Sequence, residues 1–297
     1  MIDLLQCPVC SGPLEDQYRC PRCGGDYPVR DGIARMLDDR LPGIAAKRAE
    51  IEGWVELARA QEWYRADDAV DAVLPYVNRD LGWDDQHWAA NERAFTRLLA
   101  DVRPGMRVLE IGAAKCWGAR HVLAAGAEYV ACDILDDPLI GLGRGAFYGD
   151  FPRVQADGEH LPFREGAFDV AYCVATLHHA LDLHAMTREL RRVTRRGGKV
   201  AALNEGTRAL GASPDNPEQA QEKQLGINEH VHTAVAYVWA FTRAGLLVRD
   251  AQLSAPPDEV AQRRIVRRLL PRARRLGLAY AALTIPYSGV SLFATRP

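Results

Sequence analysis

Four cysteines open the chain in two C-x2-C pairs, Cys7 with Cys10 and Cys20 with Cys23, in the stretch CPVCSGPLEDQYRCPRCGG. Two residues between thiols let both turn toward one ion. Two such pairs complete a closed tetrahedral site for a structural Zn2+, with an iron site of the same thiolates as the alternative. A site with no open position performs no reaction. It supplies the folding energy that so short a segment cannot draw from a core of its own. Pro8, Gly12, Pro21, Gly24 and Gly25 suit the tight turns at the knuckles.

A second stretch, VLEIGAAKCWGARHV from Val108 to Val122, runs from a strand through a glycine-marked turn into a helix. A dinucleotide would want alternate glycines there, so that its pyrophosphate could rest on the helix N-terminus. Gly112 is in place, but Ala114 and Cys116 occupy the next two glycine positions. S-adenosylmethionine carries no phosphate and relaxes that demand. Asp133, near the end of the next strand, is placed for ribose hydroxyls. Asp157, at the end of a third, is placed for an adenine amino group. Trp117 is a candidate wall on the methionine side, and Lys115 reads as an exposed helix residue.

The histidines are the candidate bases. His178 and His179 follow a strand-like run. His230 and His232 alternate in LGINEHVHT, so in an extended segment both face one way. Together with Glu205 and Glu229 they are candidates for substrate contact, for a general base, for a second metal or for a structural role.

The elements that must position these residues follow from periodicity. From Arg107 onward RVLEIG, YVACDI, RVQAD, AFDVAYCVAT and KVAALNEG read as strands. GARHVLAAGA and AMTRELRRVTRRGG read as helices between them, the latter stopped by Gly197-Gly198. A helix (AVAYVWAFTRAGL), a strand (LLVRDAQL) and a last strand (VSLFATRP) follow. Regular alternation predicts an α/β, Rossmann-like, mainly parallel sheet of seven strands, with its ligands beyond the carboxyl ends. Residues 41–101 lack strand-like alternation. Ile51, Trp54, Val55, Leu57 and Ala58 recur at helical steps, and Trp54, Trp63, Tyr64, Tyr76, Trp83 and Trp88 make the segment rich in aromatics. It reads as a helical lid over a dry pocket or as a packing layer. The expected organisation is a zinc ribbon over 1–38, a helical segment over 39–100 and a catalytic domain over 101–297.

Together the motifs of residues 105–205 resemble the class I methyltransferases, and DGEHLPFREGAFDVAYCVATLHH is similar to the branch that includes quinone-biosynthesis methyltransferases. The resemblance implies that Glu110 and Gly112 flank the methionine end of S-adenosylmethionine, with Ala114, Trp117 and Ile134 in the same cofactor site. It also implies that Asp133 holds the ribose and that Asp157, Gly158 and Glu159 frame the adenine. Residues 2–38, with YPVRDGI at Tyr27–Ile33, resemble the small zinc-ribbon proteins that activate methyltransferases. A ribbon fused in front of the domain is also similar to a group of ribosomal-RNA guanine methyltransferases.

Net charge is −2, yet eight arginines and no acidic residue fall between Ala261 and Pro297. That segment is a solvated face or a surface for an anionic partner. No apolar run is long enough to span a bilayer, and the first residues lack an export pattern, so a cytoplasmic protein is expected. The leading expectation is methylation of a small organic acceptor, a sugar or specialised metabolite, at oxygen or nitrogen, with His232, His230, His178 and Glu205 as the catalytic candidates. RNA methylation using the ribbon and the arginines is the alternative. A non-catalytic cofactor-binding module and a non-methylating use of the same sulfonium stand below it.

Overall fold

The computed structural model describes residues 2–214, 219–254, 264–276 and 287–297. Residues 255–260, residues 261–263 and 277–286 of the arginine segment, and 215–218 of the loop following the fifth expected strand lie outside the described residues.

The strands are β1 (Val29–Arg30), β2 (Ile33–Arg35), β3 (Arg107–Ile111), β4 (Glu128–Asp133), β5 (Arg153–Gln155), β6 (Phe168–Val174), β7 (Thr194–Arg208), β8 (Leu247–Ser254) and β9 (Tyr287–Thr295). They form one nine-stranded sheet in the order β1-β2-β5-β4-β3-β6-β7-β9-β8. β2 through β7 pair in parallel along this order, while β1 and β9 pair antiparallel with their neighbours. The expected count of seven is too low for the sheet as a whole. Residues 107–295 contribute seven strands, and the ribbon's tail adds two more because β2 zips onto β5 (Ile33 opposite Arg153, Arg35 opposite Gln155). An open edge strand invites pairing, and here residues 29–35 of the cysteine-bearing segment cover that edge.

The helices are α1 (Ile44–Ala60), α2 (Asp68–Asp71), α3 (Val77–Leu81), α4 (Gln86–Leu99), α5 (Gly118–Ala124), α6 (Leu183–Val193), α7 (Ala220–Gln224), α8 (Ala234–Arg243) and α9 (Arg264–Leu276). α6 stops before the expected Gly197-Gly198. Thr194 caps it by donating its hydroxyl to Leu190 O (2.7 Å) and then pairs with Phe168 as the start of β7. The central strands are apolar on both faces, as a sheet covered on both sides requires. One core joins the ribbon's Leu5 and Met36 to Phe163, Phe168, Leu190 and Phe241. The other holds Phe95, Leu98, Val122, Tyr129 and Tyr172 beneath α4 and α5. Each fully buried side chain of this size contributes about 2 kcal/mol. No helix among the described residues is long and apolar enough to cross a membrane.

The helical segment docks on the sheet through buried charge. Asp71, at the end of α2, accepts from Lys115 Nζ (3.3 Å) and Arg144 Nε (2.8 Å). It is 1% exposed. Lys47 of α1 donates to His179 O (3.0 Å) and lies 3.4 Å from Glu159. Breaking a buried pair leaves the partner charge uncompensated. Asp71→Ala is therefore expected to lower the unfolding free energy by about 3 kcal/mol, read by urea titration. A change within experimental error would mean that α2 is not held by this contact.

Candidate active site

Beyond the carboxyl ends of β3, β4, β5 and β6 lies a cavity of about 450 Å3. The sheet side contributes Gly112, Ala114, Trp117, Asp133, Ile134, Asp157, Gly158 and Ala175; the helical segment contributes Lys47, Glu50, Trp54, Trp63, Asp71, Trp83 and Trp88. Five of the chain's six tryptophans thus face one space.

The loop after β3 keeps the path that three glycines would take. Gly112 (φ +68°), Ala114 (φ +41°) and Cys116 (φ +64°) all lie in the left-handed region. For an L-residue that costs roughly 1–2 kcal/mol. Hydrogen bonds hold the loop there. Asp133 Oδ2 accepts from Ala114 N (2.7 Å), Asp133 Oδ1 from Leu135 N (2.8 Å), and Cys132 O from Gly112 N (2.9 Å). The Cys116 thiol is buried in the core beneath α5. Gly112 itself cannot be replaced, because a Cβ there would collide with the Thr176 side chain.

The pattern fits an adenosyl group. Asp133 and Asp157 both line the cavity. Asp157 is already committed to Glu159 N (3.0 Å) and His160 Nδ1 (2.9 Å). A carboxylate offers about four acceptor positions, so each aspartate retains capacity for a ligand's donors.

Two residues expected in the cofactor site stand behind its wall instead. Glu110 is buried under the loop and accepts from the Tyr172 hydroxyl (2.7 Å) and from Tyr129. Burial pushes its carboxyl up to about 7, against those two hydroxyls. Glu159 accepts from Leu181 N (2.7 Å) and Asp182 N (2.8 Å) and so anchors the chain after β6. Lys115, expected in solvent, is half-buried, lines the cavity and pairs with Asp71. The α2 carboxylate draws it inward, and that partner lies too far off in sequence to be anticipated. Lys47 and Glu50 were also missed. On a charged helix they read as surface residues, yet they are 5% and 1% exposed. Glu50 Oε2 has no hydrogen-bond partner, and burial pushes the carboxyl up to about 7.

Of the four candidate histidines, His178 is the one hydrogen-bonded to a carboxylate. A carboxylate only accepts, so His178 Nδ1 donates to Glu205 Oε2 (3.0 Å), leaving Nε2 3.7 Å from Glu229. Glu205 is fully buried and also accepts from Thr176 N and Leu177 N (both 3.0 Å). Burial pushes the imidazole pKa down, but the Glu205 bond and the charges of Glu205, Glu229 and Glu50 outweigh it and leave the value raised. His179 donates Nδ1 to Asn228 O (2.7 Å), and burial holds its pKa well below the ordinary one. His230 is exposed. Its ring lies 6.3 Å from that of His232, whose Nε2 is unpartnered and whose pKa is pushed down to about 4, mainly by burial. Neither lines the cavity.

The four ribbon cysteines converge, with Cys7 Sγ 3.4 Å from Cys23 and Cys10 Sγ 3.5 Å from Cys20. All four sulfurs lie within 4.8 Å of one another. Thiolates about 2.3 Å from a tetrahedral ion stand about 3.8 Å apart, so the donor set fits Zn2+.

Comparison with known proteins agrees with this geometry. Residues 109–202 match the family described as Methyltransferase domain. A demethylmenaquinone methyltransferase of Corynebacterium urealyticum is 33% identical over 135 residues, covering 45% of this chain and 55% of that protein. The chain spans about half the length of the curated relatives it matches. In structure, the chain is similar to one from the complex between the Haloferax volcanii Trm112 methyltransferase activator and a methyltransferase (TM-score 0.51, 19% identity, 78% of this chain and 99% of that one). It is also similar to the [4+2]-cyclase SpnF (TM-score 0.52, 17% identity, 78% of this chain and 97% of that one). The fold is thus the α/β Rossmann-like fold of methyltransferases, and residues 109–202 match the methyltransferase-domain family within it.

Ala114→Gly is expected to raise stability by about 1 kcal/mol, because glycine adopts this backbone without strain. A denaturant midpoint that falls would show that the Ala114 methyl contributes packing worth more than the strain.

Proposed function

We propose that the protein is an S-adenosylmethionine-dependent methyltransferase acting on a small organic acceptor at oxygen or nitrogen. The observation that carries this is the single cavity in which Gly112, Ala114, Asp133 and Asp157 meet the lid tryptophans. The cosubstrate would supply an electrophilic methyl on a sulfonium. Asp133 would hold its ribose, Asp157 and Gly158 its adenine, and the Gly112 loop its methionine end. The tryptophans would exclude water and present π faces to a cation. Methyl transfer is a displacement, so positioning supplies much of the acceleration.

An acceptor that loses a proton needs a base, and we assign that role to His178. Glu205 fixes its tautomer and orientation. The RNA alternative rests on the cysteine segment and the arginines of residues 261–297, and among the described residues none of those arginines lines the cavity. The related fold of a cyclase shows that fold alone does not dictate the reaction. The ribbon's cysteines would bind one structural Zn2+, and the domain limits at 38 and 100 stand as part of the same proposal.

Three measurements test this. S-adenosylhomocysteine should bind in a titration monitored by tryptophan fluorescence; no binding at millimolar ligand removes the enzyme reading. Elemental analysis should find zinc at one per chain, lost in Cys20→Ser; a metal-free, folded wild type would reject the zinc site. A base works only when deprotonated, so the rate should rise with pH through a limb above the ordinary imidazole value of about 6.5. Glu205→Gln removes the main cause that raises the His178 pKa, so the limb should move to lower pH. A limb that stays in place means that His178 is not the base.

A further inference from the structure

A second, smaller cavity of about 260 Å3 adjoins the first, and Ala175 lines both. Its wall carries His87, His178, Asn204, Thr207, Gln219 and Ser288. Among the described residues no aspartate, glutamate, lysine or arginine lines it, and no tryptophan. This wall therefore differs from that of the larger cavity. Among the described residues it offers the uncharged donors and acceptors of Asn204, Thr207, Gln219 and Ser288 beside His178, and its apolar part is Ala90, Val231 and the Tyr287 ring.

The groups are set before any ligand arrives. The register of β7 against β9 shifts between Ala202 and Glu205. A bulge of this kind re-aims side chains. Asn204 sits in it at φ +52°, a left-handed conformation that asparagine tolerates better than most residues. Its backbone N–H donates to Ser291 Oγ (2.9 Å) and its side-chain amide to Asn91 Oδ1 (2.9 Å). Thr207 and Ser288 hydroxyls lie 2.9 Å apart on neighbouring strands. The next residue after Asn204, Glu205, holds His178, so one irregularity serves both the base and the polar wall.

We infer that this second cavity is the acceptor pocket and that it takes a neutral, polyhydroxylated ring of about monosaccharide size. The inference rests on the methyl-transfer reading and adds the substrate class to it. An acceptor hydroxyl next to His178 gives its proton to Nε2 as its oxygen bonds the methyl carbon; the S–CH3 bond breaks and its electron pair stays on sulfur. The products are a methyl ether and S-adenosylhomocysteine. A site built to hydrogen-bond hydroxyls rejects analogues that lack them, because its own polar groups would be left unpaired.

The test uses the full chain, S-adenosylmethionine tritiated in its methyl group, and a bacterial extract divided into RNA and small molecules. The small molecules are divided again into butanol-soluble, anion-retained, cation-retained and neutral water-soluble fractions. Label is expected in the neutral water-soluble fraction. Label in any other fraction overturns the substrate class while leaving methyl transfer intact. No label in any fraction, with S-adenosylhomocysteine still bound, sinks the methyl-transfer reading beneath it. Ser288→Phe fills the cavity, and transfer should drop about 100-fold, the scale of a lost reactive geometry, with S-adenosylhomocysteine affinity unchanged. Retained cofactor binding reports that the variant folds, and Gln86→Trp fills the same space from α4 should Ser288→Phe not bind. Transfer that persists in a filled variant places the acceptor elsewhere.

Discussion

The hydrogen bond from the Ala114 amide to Asp133 ties the loop after β3 to the end of β4, and both residues line the larger cavity. Two L-residues in that loop sit where glycine would be comfortable, at a combined cost of a few kcal/mol. The compensation is local. Asp133 accepts from both flanking segments, while the Cys116 side chain, which glycine would lack, fills the core under α5. Burial opposes the charge on Asp133 and leaves its pKa raised, although the backbone amides that point at it counter part of that. The same carboxylate thus shapes the loop and offers its remaining lone pairs to the cavity.

A second constraint comes from above. The helical segment over the cavity is held by ions taken out of water: Asp71 between Lys115 and Arg144, and Lys47 beside Glu50 and Glu159. Such pairs add little stability relative to apolar packing, but they specify one arrangement, because a misplaced segment would strand a buried charge. Lys47 reaches His179 O, and Glu159 reaches the backbone of Leu181 and Asp182. The helical segment, the segment after β6 and the segment after β5 therefore share one network. A ligand ordering any of the three would act on the others.

Local signals were legible in the sequence and distant ones were not. The cysteine spacing predicts convergence of four thiols, which the structure shows. Strand-turn-helix patterning placed Gly112, Asp133 and Asp157 at one end of the sheet, the family resemblance added Ala114, Trp117, Ile134 and Gly158, and all seven line the cavity. Glu110 and Glu159 have suitable chemistry at suitable positions, but backbone amides and tyrosine hydroxyls far along the chain capture them. Lys47, Glu50 and Lys115 fail for the same reason. A charged side chain reads as solvated until its partner is known, and each partner here is supplied by the fold. The ribbon's tail has the same logic, since nothing near Ile33 announces that it will pair with Arg153.

The bulge at Asn204 shows how far one backbone irregularity can reach. In a regular strand Asn204 and Glu205 would point to opposite faces, and neither would have reason to be polar in a buried sheet. The register shift instead turns Glu205 beneath the segment after β6, where it meets Thr176 N, Leu177 N and His178. It leaves Asn204 facing the smaller cavity. A fully buried carboxylate with three donors cannot move without stranding all of them. His178 is therefore fixed by the sheet itself rather than by a loop, as the proposed base would require, because its reach must not depend on what the larger cavity holds.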